Sequence, residues 1–364
     1  MISFRARRLQ ELRLSARTVR LMMDITELKG HQQLQARLAK QFLRAFRLAA
    51  LVRGVESANR IEGVAVQSGR LLPLLLYHVK PNNQSEIETL GFCRALDELI
   101  YTKTSGFEIT PMYLQMLHQT ILGGIPGAGE WRAEKSDEIQ FGDDDTPGIM
   151  VESVSGAEVP GSVEELLRSY RDVQAEPDVH PLLATAVLVL DFLCLHPFYR
   201  GNLRMMHLVA LLGLWLNGFT VGQYVSLGRW FERTRTACSS AVRLSSEGWR
   251  QGRHDLDPWL EYFFGVLRAA YLEFEMCVQR TKSHRLALTG LVETGIEVFP
   301  GAFRVRQLQE SCPGILPLVI FRTLRELKAR GVIRRIGPGS YIVQNSQGLL
   351  QSRLLTLQPY ITGY

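Results

Sequence analysis

The stretch from His180 to Leu195 constrains this chain most. Proline at 181 opens it, and Leu182–Leu195 carries one charged residue, Asp191. A helix that is apolar nearly all round has no face to offer water, so it must lie at the centre of a helical domain. It falls short of the ~20 uncharged residues needed to cross a bilayer. His196-Pro197 must end it, because proline removes an amide donor and disfavours helix in the residue before it.

The surrounding sequence supplies helices to cover that core. Residues 31–59 carry Leu34, Leu38, Phe42, Phe46 and Ala50 at helical spacing, and residues 85–102 repeat the pattern from Ile87 to Ile100. Thr110-Pro111 reads as an N-cap and first-turn proline of a helix to Leu122, closed by Gly123-Gly124. Ser162 is expected to cap a helix to Val173. Further helices are expected to Leu216, where Asn217-Gly218 stops the run, over 230–247 and over 258–284. Between 123 and 160 glycines, prolines and Asp143-Asp144-Asp145 mark a surface segment, within which Trp131–Phe141 alternates weakly and reads as a short hairpin.

A length of 364 residues suggests two or three domains, with 46% hydrophobic and 21% charged residues an ordinary globular composition. The N-terminal MISFRARRLQELRLSARTV has basic residues without an apolar stretch behind them, unlike a secretory signal. A cytoplasmic protein with no membrane partner is the expectation. Five scattered cysteines without a CxxC pair argue against a disulfide framework and a zinc site. His118, His180 and His254 have no companion at metal spacing and read as structural, so no metal ligands are assigned.

Net charge divides the chain. Residues 285–364 hold ten Lys/Arg against four Asp/Glu, which accounts for the whole net charge of +6. Helical patterns over 286–294, 304–310 and 316–330 precede a strand, Gly337-Pro338-Gly339 and a second strand, the plan of a winged helix-turn-helix. Ile320, Leu324 and Leu327 face inward, leaving Arg322, Arg325 and Lys328 for DNA, with Arg334 and Arg335 in the wing. The alternative is a unit that packs or forms a homodimer, its arginines merely solvated.

His196-Pro197-Phe198-Tyr199-Arg200-Gly201-Asn202-Leu203-Arg204 carries the chemistry. Gly201 lets the backbone bend and Asn202 turns into the next helix, whose first amides form an anion-binding terminus. A base at its lip, backbone donors and a guanidinium one turn inside resemble a phosphate-transfer site. The string resembles the Fic-domain signature HPFx(D/E)GN(G/K)RxxR. The resemblance implies a mainly α fold: an N-terminal helical region (1–80), a helical core with a β-hairpin flap (81–284) and the winged unit (285–364). It implies AMP transfer from ATP to a protein hydroxyl, His196 acting as general base and Phe198 anchoring the loop. Gly201, Asn202 and Leu203 would cradle phosphates that Arg204 neutralises, and the flap would hold the target by backbone pairing.

Three positions depart from the pattern. Arg200 replaces the acidic residue that holds Mg²⁺, Leu203 replaces glycine, and His207 replaces the last arginine. Exchanging a carboxylate for a guanidinium shifts the field on a divalent ion by several kcal/mol, at about 4 kcal/mol per unit pair near 4 Å. Mg²⁺ binding in the usual place is therefore expected to fail. Either Arg200 itself clamps the phosphates and transfer is metal-independent, or transfer is impaired. A catalytically silent scaffold acting as a DNA-binding regulator is the competing reading, and transfer of another phosphate-linked group a third. Upstream, Ile61-Glu62-Gly63 resembles the inhibitory motif of self-inhibited members, with Ala58 in place of its hydroxyl residue. By that resemblance Glu62 would latch onto His207 while the imidazole is protonated, or onto Arg204 or Arg200.

Overall fold

In the computed structural model, which describes residues 3–4, 8–38, 40–67, 70–77, 79–101, 107–134, 138–139, 149–282, 284–299, 301–312, 315 and 317–344, helices dominate. Helices α1 (Ala16–Leu38), α2 (Lys40–Ile61), α3 (Leu71–Tyr77), α4 (Gln84–Tyr101) and α5 (Pro111–Leu122) precede the strands β1 (Glu138–Ile139) and β2 (Ile149–Met150). Then come α6 (Val159–Gln174), α7 (Pro181–Leu195), α8 (Asn202–Leu216), α9 (Leu227–Arg233), α10 (Arg235–Ser246) and α11 (Asp257–Lys282). The C-terminal unit runs α12 (His284–Glu297), β3 (Ala302–Arg304), α13 (Val305–Ser311), α14 (Pro317–Ala329), β4 (Ile333–Gly337) and β5 (Ser340–Val343).

Every residue of α7 after its proline is buried, and α6, α8, α10 and α11 pack round it. The mainly α fold with a small hairpin follows from that one element. Thr110 caps α5 by accepting from the Tyr113 amide, and Gly123 closes it in the left-handed region. His180 caps α7, its Nδ1 accepting from the Leu182 amide.

Several boundaries differ from expectation. The helix expected over 31–59 falls on α1 and α2, which are described on either side of residue 39; α1 lies along α11, and α2 packs on α4, α9 and α12. Ser162 is not a cap; α6 starts at Val159 behind a short turn held by a Ser155–Glu158 capping box. The helix over 230–247 breaks at Thr234, whose hydroxyl bonds the Trp230 carbonyl and the Tyr262 hydroxyl. The hairpin does not close within 131–141: Glu138–Ile139 pairs antiparallel with Ile149–Met150, and Trp131 bridges Phe198 instead. Asp143–Asp145 lies outside the described residues. Strand β3 adds to the expected hairpin, giving an antiparallel sheet in the order β3-β5-β4. No helix among the described residues is long and apolar enough to cross a membrane.

Candidate active site

The α7 helix delivers His196 as its C-cap in the left-handed region (φ 45°), the only non-glycine residue with positive φ among those described. A β-carbon is disfavoured there by roughly 1–2 kcal/mol, so the surroundings must hold it. Arg132 does so. Its buried guanidinium donates to the Leu195, His196 and Val154 carbonyls at 3.2, 2.7 and 2.7 Å and also bonds the Glu134 carbonyl. Its backbone amide donates to the Pro197 carbonyl at 2.9 Å. One cation thus satisfies the Leu195 and His196 carbonyls at the negative end of α7.

Asn202 fixes the other end of the turn. Its Oδ1 accepts from the Phe198 amide at 3.1 Å and its Nδ2 donates to the Phe198 carbonyl at 2.7 Å. Both polar atoms of the Asn202 side chain therefore close the loop. Phe198 is fully buried, stacked on His118 at 3.7 Å between centroids and against Trp131 at 4.8 Å. His118 Nδ1 accepts from the Gly129 amide and its Nε2 donates to the Arg200 carbonyl, both at 2.9 Å, which sets its tautomer. Gly201 follows with φ 79° as the N-cap of α8.

A carboxylate occupies the start of α8. Glu62 Oε1 accepts from the Leu203 and Arg204 amides at 2.7 and 3.2 Å, and Oε2 accepts from Arg204 Nε at 2.8 Å. Leu203 is itself buried, and its side chain leaves that amide free to donate. Glu62 reaches the site because α2 ends in a Schellman motif: Gly63 has φ 69°, its amide bonds the Arg60 carbonyl, and the Val64 amide bonds the Asn59 carbonyl. Asn59 Oδ1 takes Arg204 Nη1 at 3.3 Å.

The second carboxylate is Glu88 on α4, 2% exposed, which forms an ion pair with Arg204 Nη2 at 2.8 Å and accepts a hydrogen bond from Arg200 Nη2 at 3.0 Å. Arg204 is fully buried between the two acids, while Arg200 remains half exposed. The four side chains alternate in sign and sum to zero.

His207 takes no part, and the Glu62–His207 latch is corrected. The imidazole lies buried between Phe92 and Phe231, its Nδ1 without a partner among the described residues. Burial pushes its pKa down to about 4, opposite to the shift an acid partner would produce. His196 is also pushed down to about 4, by burial and then by the Arg132 charge, so its ring is neutral at pH 7. It is partly exposed, with Nδ1 buried and unpartnered among the described residues.

The residues at position 200 do not fit a divalent cation. The place holds a guanidinium already bound to Glu88, and no cluster of three or more His, Cys, Asp or Glu able to hold a metal occurs among the described residues.

Arg325, Lys328, Arg334 and Arg335 lie exposed on the C-terminal unit, well separated in sequence and element from this turn, while Arg322 is half exposed beside Glu326. The site residues absent from the sequence reading are Glu88, Arg132, Asn59 and, in its positioning role, His118. Glu88 had a signal: it lies four residues before Phe92 on the buried stripe of α4, where an unpaired acid is costly. Arg132 had none, since it lies in irregular chain.

Comparison with known proteins places this geometry. A Fic family protein from Desulfovibrio desulfuricans G20 superposes with a TM-score of 0.57 at 17% identity, covering 91% of this chain and 97% of its own. A Fic domain containing signaling protein from Bacteroides thetaiotaomicron VPI-5482 gives 0.58 at 15%, covering 70% and 97%. Fic-1 from C. elegans gives 0.54 at 19%, covering 71% of each chain. A comparison with curated proteins finds no sequence match. At these identities the structural likenesses speak for the fold; the sequence itself matches the Fic/DOC family over residues 108–214. That span includes α5, the β1–β2 hairpin, α6, α7, the His196–Arg204 turn and most of α8, so residues 108–214 are a Fic/DOC family domain.

Proposed function

We propose that this chain transfers AMP from ATP to a protein hydroxyl and that the structure holds the self-blocked form. The observation that carries the reading is Glu62. Its carboxylate rests on two helix-start amides and a guanidinium, the donors a phosphate group requires, so it acts as an anion mimic. Withdrawing it would leave Arg200 and Arg204 against Glu88 alone and change the site from neutral to a net positive charge.

In the open form the target hydroxyl attacks the α-phosphorus of ATP while neutral His196 takes its proton. A bond from oxygen to phosphorus forms, the bond to the β-phosphate oxygen breaks, and pyrophosphate leaves. The two amides and Arg204 stabilise charge on the phosphates. Arg200, half exposed and held on Glu88 through Nη2 alone, would serve as the outer clamp with its remaining donors, because a planar guanidinium grips phosphate oxygens well. The β1–β2 hairpin would hold the target strand by backbone pairing.

Incubation with labelled ATP, with Mg²⁺ or with EDTA, tests the reading. Glu62→Gly should bind ATP at least tenfold more tightly than the natural chain and label protein in EDTA, and adding His196→Ala should abolish labelling while ATP still binds. Transfer that appears only with Mg²⁺ in Arg200→Asp would assign the impairment to Arg200. If Glu62→Gly neither binds ATP nor labels protein, the AMP-transfer reading fails. The silent-scaffold reading would then stand, favoured by the commitment of both Arg200 and Arg204 to Glu88.

A further inference from the structure

The C-terminal unit has segregated its charge. All four of its acidic residues are paired with arginine: Glu293 with Arg330 at 3.1 Å, Glu310 with Arg306 at 3.4 Å, Glu326 with Arg322 at 3.9 Å, and Glu297 with Arg53 of α2. Arg304, Arg325, Lys328, Arg334 and Arg335 are exposed, and none has a carboxylate partner among the described residues. The uncompensated cations therefore collect on α14 and the adjoining sheet.

Helix α14 carries two stripes. Ile320, Thr323, Leu324 and Leu327 are buried, whereas Leu318, Phe321, Arg325 and Lys328 recur at spacings of three and four on the open side. The outer stripe is itself divided. Its N-terminal half is apolar, with Leu318 79% and Phe321 50% exposed, and its C-terminal half is cationic. In β4, Arg334 and Arg335 flank the turn at Gly337–Gly339, and Arg335 Nε donates to the Gly337 carbonyl at 3.1 Å. Arg304 pairs in register with Ser340 beside the same turn.

We propose that this face binds duplex DNA, independently of the activity at His196. A cationic helix half and a cationic hairpin on one small unit suit two stretches of phosphate backbone. The N-terminal half of a helix entering the major groove meets base edges, where exposed Phe321 and Leu318 suit thymine methyl groups. An apolar patch alone would suit a protein partner equally, but the absence of free carboxylates on this face selects a polyanion.

The test uses the full chain and a fluorescent A·T-rich duplex of about 30 base pairs. If the four cations Arg325, Lys328, Arg334 and Arg335 each neutralise a phosphate, affinity should fall about a hundredfold between about 50 and 200 mM salt. The pair Arg325→Ala/Lys328→Ala and the pair Arg334→Ala/Arg335→Ala should each make the log–log salt slope shallower by about 2. Arg13→Ala/Arg20→Ala, at exposed positions outside the unit, should not change it. Replacing thymine by uracil should weaken the natural chain several-fold and leave Phe321→Ala indifferent. No retention at low salt, or equal binding after removal of all four cations, overturns the proposal. Tighter binding to single strands or RNA than to duplex overturns the choice of partner, and equal affinity for thymine and uracil duplexes overturns the role of Phe321. Melting curves of the variants exclude misfolding as the cause of lost binding.

Discussion

Arg204 has no solvent exposure, and a buried guanidinium survives only if acids replace its lost hydration. Glu62 and Glu88 both do so, but they are not equivalent. Glu62 stands at a helix end with 13% exposure, where it can leave; Glu88 sits inside α4 at 2% and cannot follow. Glu88 is therefore the fixed counter-charge of the site and the reason Arg200 is tolerated beside a second arginine. Glu88→Gln should lower unfolding free energy by about 2–3 kcal/mol, the loss of the charge that compensates a buried cation and of the charge-assisted hydrogen bonds from Arg200. Denaturant titration measures it. A change below about 0.5 kcal/mol would mean that Glu62 alone compensates Arg204. The sequence displayed Arg200, Arg204 and Glu62 through their spacing in two motifs. It displayed Glu88 only as a polar residue on an apolar stripe, and did not reveal that one acid bridges two arginines distant in sequence.

The α7 helix stops at Leu195, and the stop is expensive in backbone terms. His196 takes a left-handed conformation that glycine adopts without penalty, and Arg132 and Asn202 hold the turn closed around it. His196→Gly and His196→Ala both remove the imidazole, so their difference isolates the backbone. The glycine variant should be the more stable by about 1 kcal/mol, read as the difference in unfolding free energy, and equal stabilities would show that this φ is unstrained. Much of this element was legible: the all-apolar run fixed α7, Pro197 its end, and Gly201 the bend into α8. What remained hidden came from outside the motif. Arg132 lies in chain without periodicity, and α11 and α12 take different helices, α1 and α2, as partners. Such preferences are set by packing, which periodicity within one segment does not record.

Across the whole molecule, buried histidines set an acid limit. His118, His196, His207 and His254 are all pushed down to about 4, chiefly by burial. In the unfolded chain they titrate near 6.5, so between about pH 6.5 and 4 the unfolded state binds more protons and stability falls on acidification. Asp191 works in the opposite sense. Burial raises it to about 6, against the hydrogen bonds from Ser3 and Trp249, so from about 6 downward the folded state gains a proton at that site. Four groups outweigh one. Unfolding free energy should be flat between about pH 7 and 8 and drop by on the order of 6 kcal/mol by pH 5, the share of three uncompensated groups over about 1.5 pKa units at about 1.4 kcal/mol per unit. His207 is the cleanest member to remove, since it makes ring contacts with Phe92 and Phe231 and lies outside the Glu62 and Glu88 network. His207→Leu should reduce the slope below pH 6 by one proton's share while leaving binding at the α8 terminus unchanged. A slope unaltered by that substitution would mean that His207 binds its proton equally well in the folded and unfolded chain, so that burial does not hold it neutral.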